Sequence, residues 1–241
     1  DGRPASQMPA FGKTLTSAEI ADLVKLIYTP LKAVPVWGMA EVSASHIEHV
    51  AMAALPAKPP FSADPLNLFT VVETGDHHVT ILDGDKFEPL ARFATRFAVH
   101  GGAKYSPDGR FMYLASRDGW VSKYDLYSLQ VVSEIRAGIN TRNVAVSSDG
   151  KFLMVGNTLP HTLVALSAET LRPIKVIDVK DKHGVLSRVS AVYNAPPRNS
   201  FVAALRDIPE IWEISYDPKV KIYKGLVHTY NEDNPEGIAE K

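Results

Sequence analysis

The sequence contains no cysteine. That excludes disulfides and thiolate metal centres and leaves the redox compartment undecided. It also lacks an excess of either charge: 26 Lys and Arg stand against 27 Asp and Glu, a formal net charge of −1. Nonspecific binding to nucleic acid or to an anionic membrane is therefore not expected. No apolar run approaches the roughly 18 residues that a membrane span needs. The N-terminus shows no basic segment leading into an apolar stretch, so no export signal is visible. What is present is a chain of 241 residues, 45% hydrophobic and 22% charged, which is globular and can bury a sizeable core. It opens on DGRPASQMPAFGK and stops at NPEGIAEK, and both ends read as cuts within something longer.

The first legible element lies in MPAFGKTLTSAEIADLVKLIYTP. Thr16 and Glu19 have the spacing of a capping box. Ile20, Leu23, Val24 and Ile27 follow on one helical face, and Pro30 ends the pattern. A single amphipathic helix of about three turns is not stable alone, so residues 1–30 are expected to be the remnant of a small helical domain. Residues 31–65 are rich in Pro and Ala and read as a linker. VSASHIEHVAMAAL within it could form a short strand or helix, and His46 and His49 there are expected to face solvent.

From Leu66 the texture changes to short strands. Phe69, Phe111, Phe152 and Phe201 each open a similar unit, roughly 40 to 50 residues apart, the period of propeller blades. SPDGR and SSDGK supply Asp-Gly turns for two of the units. In the second unit GAKYS, FMYLAS, VSKYDL and VVSEIRAG give four strands. Residues 66–231 are therefore expected to form four blades of a β-propeller, with 232–241 a truncated end.

In a propeller the innermost strand of each blade lines the axial channel, and consecutive strands are antiparallel. Starts of first strands and ends of second strands thus share one face. His100, Arg142 and Arg188 fall at the starts; Arg117, Asn157, His161 and Arg206 fall at the ends. A set of guanidiniums converging on one rim of a near-neutral chain suits an anionic ligand, because Arg forks hold carboxylates in bidentate fashion. The competing expectation pairs Arg117 with Asp118 and Arg206 with Asp207. Gly101 and Gly102 follow His100 directly, and glycine in a strand often marks close approach by a ligand. A broad, flat ligand carrying a metal would need that clearance and an axial nitrogen. His77 and His78 are expected to be exposed.

These residues carry a family resemblance. The AVH strand start, the SPDGR turn and the RDGWVSKYDL run make residues 66 to about 230 similar to the haem d₁-binding propeller of cytochrome cd₁ nitrite reductases and their relatives in haem d₁ assembly. The resemblance implies a mainly β fold, part of a propeller that has eight blades in the family. It implies that His100 is the proximal ligand of the haem d₁ iron and that Arg117 and Arg142 lie near the macrocycle. MPAF before a capped helix is similar to the end of a class I cytochrome c, which would make Met8 the sixth ligand of a haem c attached upstream. In the first blade, an Arg that holds a d₁ carboxylate in the reductases is replaced at or beside Thr74. The pattern is nearest the cytochrome-linked branch that dehydrogenates dihydro-haem d₁, turning a propionate into an acrylate and passing electrons to haem c. A cytochrome cd₁ nitrite reductase and a non-catalytic haem d₁ carrier are the alternatives. The resemblance further implies a periplasmic oxidoreductase of tetrapyrrole biosynthesis in denitrification. Other haem d₁ assembly proteins and nitrite reductase would be its partners. The distal ligand and the general base are expected outside this sequence.

Overall fold

In a computed structural model the structure describes residues 10–29, 35–99 and 101–219, with the backbone of 227–228 and 238–239. The chain forms two compact units, residues 1–36 and 37–241. In the first, helix α1 (Ser17–Tyr28) opens with the expected capping box. Thr16 N–H donates to Glu19 Oε2 at 2.7 Å, and Glu19 N–H donates to Thr16 Oγ1 at 3.3 Å. Its apolar residues are not buried within the unit: Leu23, Val24 and Ile27 are all exposed.

The second unit is built from blade-like antiparallel sheets. Blade 1 holds β2 (Leu68–Glu73), β3 (His78–Asp83) and β4 (Pro89–Ala94). Blade 2 holds β5 (Lys104–Tyr105), β6 (Phe111–Ala115), β7 (Trp120–Asp125) and β8 (Gln130–Arg136). Blade 3 holds β9 (Asn140–Val146), β10 (Phe152–Leu159), β11 (Thr162–Ser167) and β12 (Pro173–Asp178). Blade 4 holds β13 (Val189–Ala195), β14 (Ser200–Leu205) and β15 (Ile211–Ser215). A short pair, β16 (Val227–His228) and β17 (Ile238–Ala239), follows. The sheets do not close into a ring, so the described residues form part of a propeller.

Strand alternation builds three cores, one between each pair of neighbouring blades. Val79 and Ile81 of blade 1 meet Met112, Leu114 and Tyr124 of blade 2. Tyr113, Val121 and Ile135 meet Leu153, Val155 and Leu166 of blade 3. Ala145, Met154 and Leu163 meet Val192, Phe201 and Ala203 of blade 4. Each fully buried aliphatic side chain contributes about 1.5–3 kcal/mol relative to exposure. The Asp-Gly turns close one face. Ser147 Oγ donates to Asp149 at 2.6 Å and accepts from Phe152 N–H at 2.9 Å.

The stretch expected to be a linker is, from residue 37, packed against the blades. It forms α2 (Met39–Ala44) and β1 (Ile47–Glu48), and β1 adds a fifth strand to blade 2 beside β8. Trp37 Nε1 donates to Arg136 O at 3.0 Å, and Val42 is fully buried. Of the two histidines expected to face solvent, His49 is exposed and His46 half-buried, and both also contact the blades. His46 Nε2 lies 2.7 Å from Thr170 O, and His49 Nε2 lies 3.0 Å from Glu134 Oε2.

Candidate functional site

Strand starts and second-strand ends do share a face. Arg117 follows β6, Arg142 lies on β9, Arg188 precedes β13 and Arg206 follows β14. All four line one open cleft of about 680 Å³, together with Asn140, Thr141, Thr158 and Ser190. A smaller adjoining cavity of about 190 Å³ is lined by Gly101, Gly102, Lys104, Arg142, Asn143 and Tyr193, among others. The clefts share Arg142 and Ser190.

Local chemistry explains how each cation is presented. Ser116 Oγ donates to Asp118, and Gly119 takes φ +97°. A Cβ there would lie 1.8 Å from Gly138 O, so only glycine fits. The turn leaves Arg117 exposed, held through its backbone by Arg117 N–H to Ala98 O at 3.0 Å. Arg142 Nε donates to Ser190 O at 3.0 Å, which anchors the guanidinium along the neighbouring inner strand. Arg188 donates from Nε to Asp207 Oδ2 at 2.9 Å, in a bidentate pair. That pair and the Arg188 backbone hold the Asp207 carboxyl well below the usual range. The expected neighbour pairings therefore give way to others: Asp207 pairs with Arg188 rather than Arg206, and Asp118 accepts from Ser116.

Four expected site residues are placed differently or lie out of view. Asn157 is fully buried and does not reach the cleft. Its amide accepts from Thr141 Oγ1 at 2.6 Å and donates to Ala137 O at 2.9 Å and Thr162 Oγ1 at 3.1 Å. It thus braces the segment that presents Asn140 and Arg142. Asn157→Ala should lower stability by about 2 kcal/mol, the cost of orphaning buried polar partners, and the melting temperature by roughly 4–8 °C. Thermal denaturation checks this. His161 is half-buried and outside the residues lining either cleft. His100 and Met8 lie outside the described residues.

Gly101, at φ +85°, and Gly102 both face open space: a Cβ on either would meet nothing within 4 Å. Lys104, half-buried in the smaller cavity, was not anticipated from sequence. Its signal was available, because it lies two residues beyond Gly102 on the innermost strand. Bare backbone beside a cleft walled by four guanidiniums fits a broad ligand with several carboxylates. No group of three or more potential metal ligands occurs among the described residues. None of their helices is long and apolar enough to cross a membrane.

Blade sheets around an axial cleft define a propeller domain that presents cations from its inner rim. Residues 63–228 match the family described as "Cytochrome D1 heme domain", and the chain belongs to that family. The chain is 57% identical over 215 residues to "Dihydro-heme d1 dehydrogenase" of Pseudomonas aeruginosa, covering 89% of this chain and 44% of that protein. It is 32% identical over 149 residues to "Protein NirF" of the same organism, covering 61% and 38%. A solved structure described as "Dihydro-heme d1 dehydrogenase NirN in complex with DHE" superposes with a TM-score of 0.82 at 52% identity, covering 99% of this chain and 48% of that one. The chain thus spans about half the length of the dehydrogenase it matches.

Proposed function

We propose that the chain works in a dehydrogenase that completes haem d₁, with dihydro-haem d₁ as substrate. The observation that carries this reading is the cleft lined by Arg117, Arg142, Arg188 and Arg206 in a propeller so similar to the Pseudomonas dehydrogenase. In the reaction a CH₂–CH₂ unit of a propionate side chain becomes CH=CH, and two protons and two electrons leave. A c-type haem attached upstream, with Met8 as a ligand of its iron, would take the two electrons one at a time, handing the first to an external one-electron carrier before receiving the second. His100 would be the residue that holds the iron of the substrate, and Gly101 and Gly102, next to it in sequence, face open space. Arg117, Arg142 and Arg206 neutralise and orient the carboxylates, and Lys104 adds a cation beside the inner strand. These residues fix the ring; none of them is assigned as the base that takes the protons. The proposed setting is periplasmic, with other haem d₁ assembly proteins handing over the substrate and nitrite reductase receiving the product.

The test is an absorption spectrum of the full-length protein mixed with dihydro-haem d₁ and followed over time. Conversion to the haem d₁ spectrum with reduction of the c-haem is expected. Unchanged dihydro-haem d₁ together with rapid turnover of nitrite would overturn the reading in favour of a reductase.

A further inference from the structure

Arg117 lines the larger cleft with an exposed side chain that has no hydrogen bond or ion pair among the described residues. Nothing aims its guanidinium directly, so its direction depends on the backbone turn that carries it. That turn runs from Ser116 to Gly119 and is closed by Gly119 N–H to Ser116 O at 3.1 Å. Thr141 N–H donates to Arg117 O at 3.2 Å. The next carbonyl, Asp118 O, accepts from Arg136 Nε at 2.8 Å. This last bond holds the peptide between Asp118 and Gly119, where the chain turns through φ +97°.

Arg136 ends β8 and lines neither cleft. It is gripped in turn by the segment that starts at residue 37. Trp37 Nε1 donates to Arg136 O at 3.0 Å, and the Arg136 guanidinium lies over the Trp37 ring, 4.8 Å from its centroid. Arg136 N–H donates to Ser45 Oγ at 2.9 Å. A guanidinium stacked on an aromatic face keeps its plane, so its N–H groups point in fixed directions. A continuous set of contacts therefore runs from Trp37 through Arg136 to the Arg117 turn.

The neighbouring blades do without this bond. Strand pairing sets Arg136 opposite Trp120, and the same place is taken by Ala94 opposite His78 in blade 1 and by Asp178 opposite Thr162 in blade 3. Neither an alanine nor a carboxylate can donate to a turn carbonyl. Of the three turns, only the one in blade 2 puts an arginine into the cleft. We infer that Arg136 is a positioning residue for Arg117: by holding the Asp118 carbonyl, it sets where the Arg117 guanidinium meets a carboxylate of the macrocycle. The inference rests on the proposed tetrapyrrole site and concerns what stands behind the cation.

Two neutral substitutions isolate the donor. Arg136→Gln places an amide nitrogen as many bonds from the backbone as Nε, and Arg136→Met places a methyl group there. Both remove the charge, and only the first can donate to Asp118 O. The full-length proteins are titrated with dihydro-haem d₁ and followed by absorption, with a melting curve of each to correct for folded fraction. Arg136→Gln should bind within about twofold of the parent, and Arg136→Met roughly three- to tenfold more weakly, the span of one hydrogen bond. In an Arg117→Ala background the two should bind alike, because a residue that acts through Arg117 then has nothing to position. Equal weakening by Gln and Met would make Arg136 a source of charge and overturn the inference. Parent-like binding by Arg136→Met would overturn it as well. A difference between Gln and Met that persists without Arg117 would overturn the route through Arg117 and leave the site reading standing. A parent that does not bind dihydro-haem d₁ would overturn the site reading itself.

Discussion

Replacing Arg117 with alanine is expected to weaken binding of dihydro-haem d₁ about tenfold to a hundredfold while leaving the melting temperature nearly unchanged. The argument is that Arg117 contributes little to the fold. Its side chain is exposed and has no hydrogen bond or ion pair among the described residues. Its turn is held instead by Ser116, Asp118 and Gly119. A hydrogen bond to a charged group is worth about 1.5–3 kcal/mol, and each 1.4 kcal/mol is tenfold in affinity. Arg117→Lys should recover only part, because an ammonium cannot reproduce the planar fork. Arg188 gives the contrast. Its guanidinium is already taken by Asp207, so a ligand carboxylate must compete with an internal one. Asp207→Asn should accordingly tighten binding, by removing the competitor and a negative charge from the rim. Titrations of the four proteins, each paired with a melting curve, check the set. Parent-like binding by Arg117→Ala would remove the anionic-rim argument.

Much of this site could be read from strand geometry. The Phe markers and Asp-Gly turns set the blade period, and antiparallel alternation alone placed Arg117, Arg142, Arg188 and Arg206 on one rim. Alternation fails where the ladder is irregular. The β9–β10 pairing shifts register on both sides of Asn157, and the side chain is buried where regular counting puts it at the rim. Pairing guesses from adjacency failed for a related reason. Neighbours in an extended chain point apart, so Asp207 finds Arg188 across the blade rather than Arg206 beside it. Composition misled at residues 37–65, because Pro and Ala content describes a linker while Trp37, Val42 and Ser45 hold the segment to blade 2. His77, expected to be exposed, is half-buried, because its ring accepts from Ala98 N–H and packs on Phe97 in the connection between blades 1 and 2.

The junction of that segment with blade 2 should supply a large loss of stability from a single polar residue. Glu134, on β8, is almost buried and accepts from Arg96 Nε at 3.0 Å, Arg96 Nη2 at 2.6 Å, Ser122 Oγ at 2.7 Å and, across β1, lies 3.0 Å from His49 Nε2. Arg96 also stacks over Trp120 at 3.9 Å. One carboxylate therefore joins the entering segment, the blade 1 to blade 2 connection and two strands of blade 2. Removing one partner of a buried ion pair costs about 3–5 kcal/mol. Arg96 keeps a third of its side chain in solvent, which offsets part of its abandonment, so Glu134→Ala should cost about 3 kcal/mol and lower the melting temperature by roughly 6–12 °C. Burial alone would raise the Glu134 carboxyl, but Arg96, His49 and Ser122 together overcome it and hold it below its ordinary value. A carboxyl depressed on folding stabilises the fold above its unfolded value, ~4.3, and that contribution fades as pH falls through the folded value. The gap in melting temperature between the parent and Glu134→Gln should therefore be full near neutrality and narrow below about pH 4. A gap that stays constant from neutral to acid would mean that the carboxylate charge does not hold this junction together.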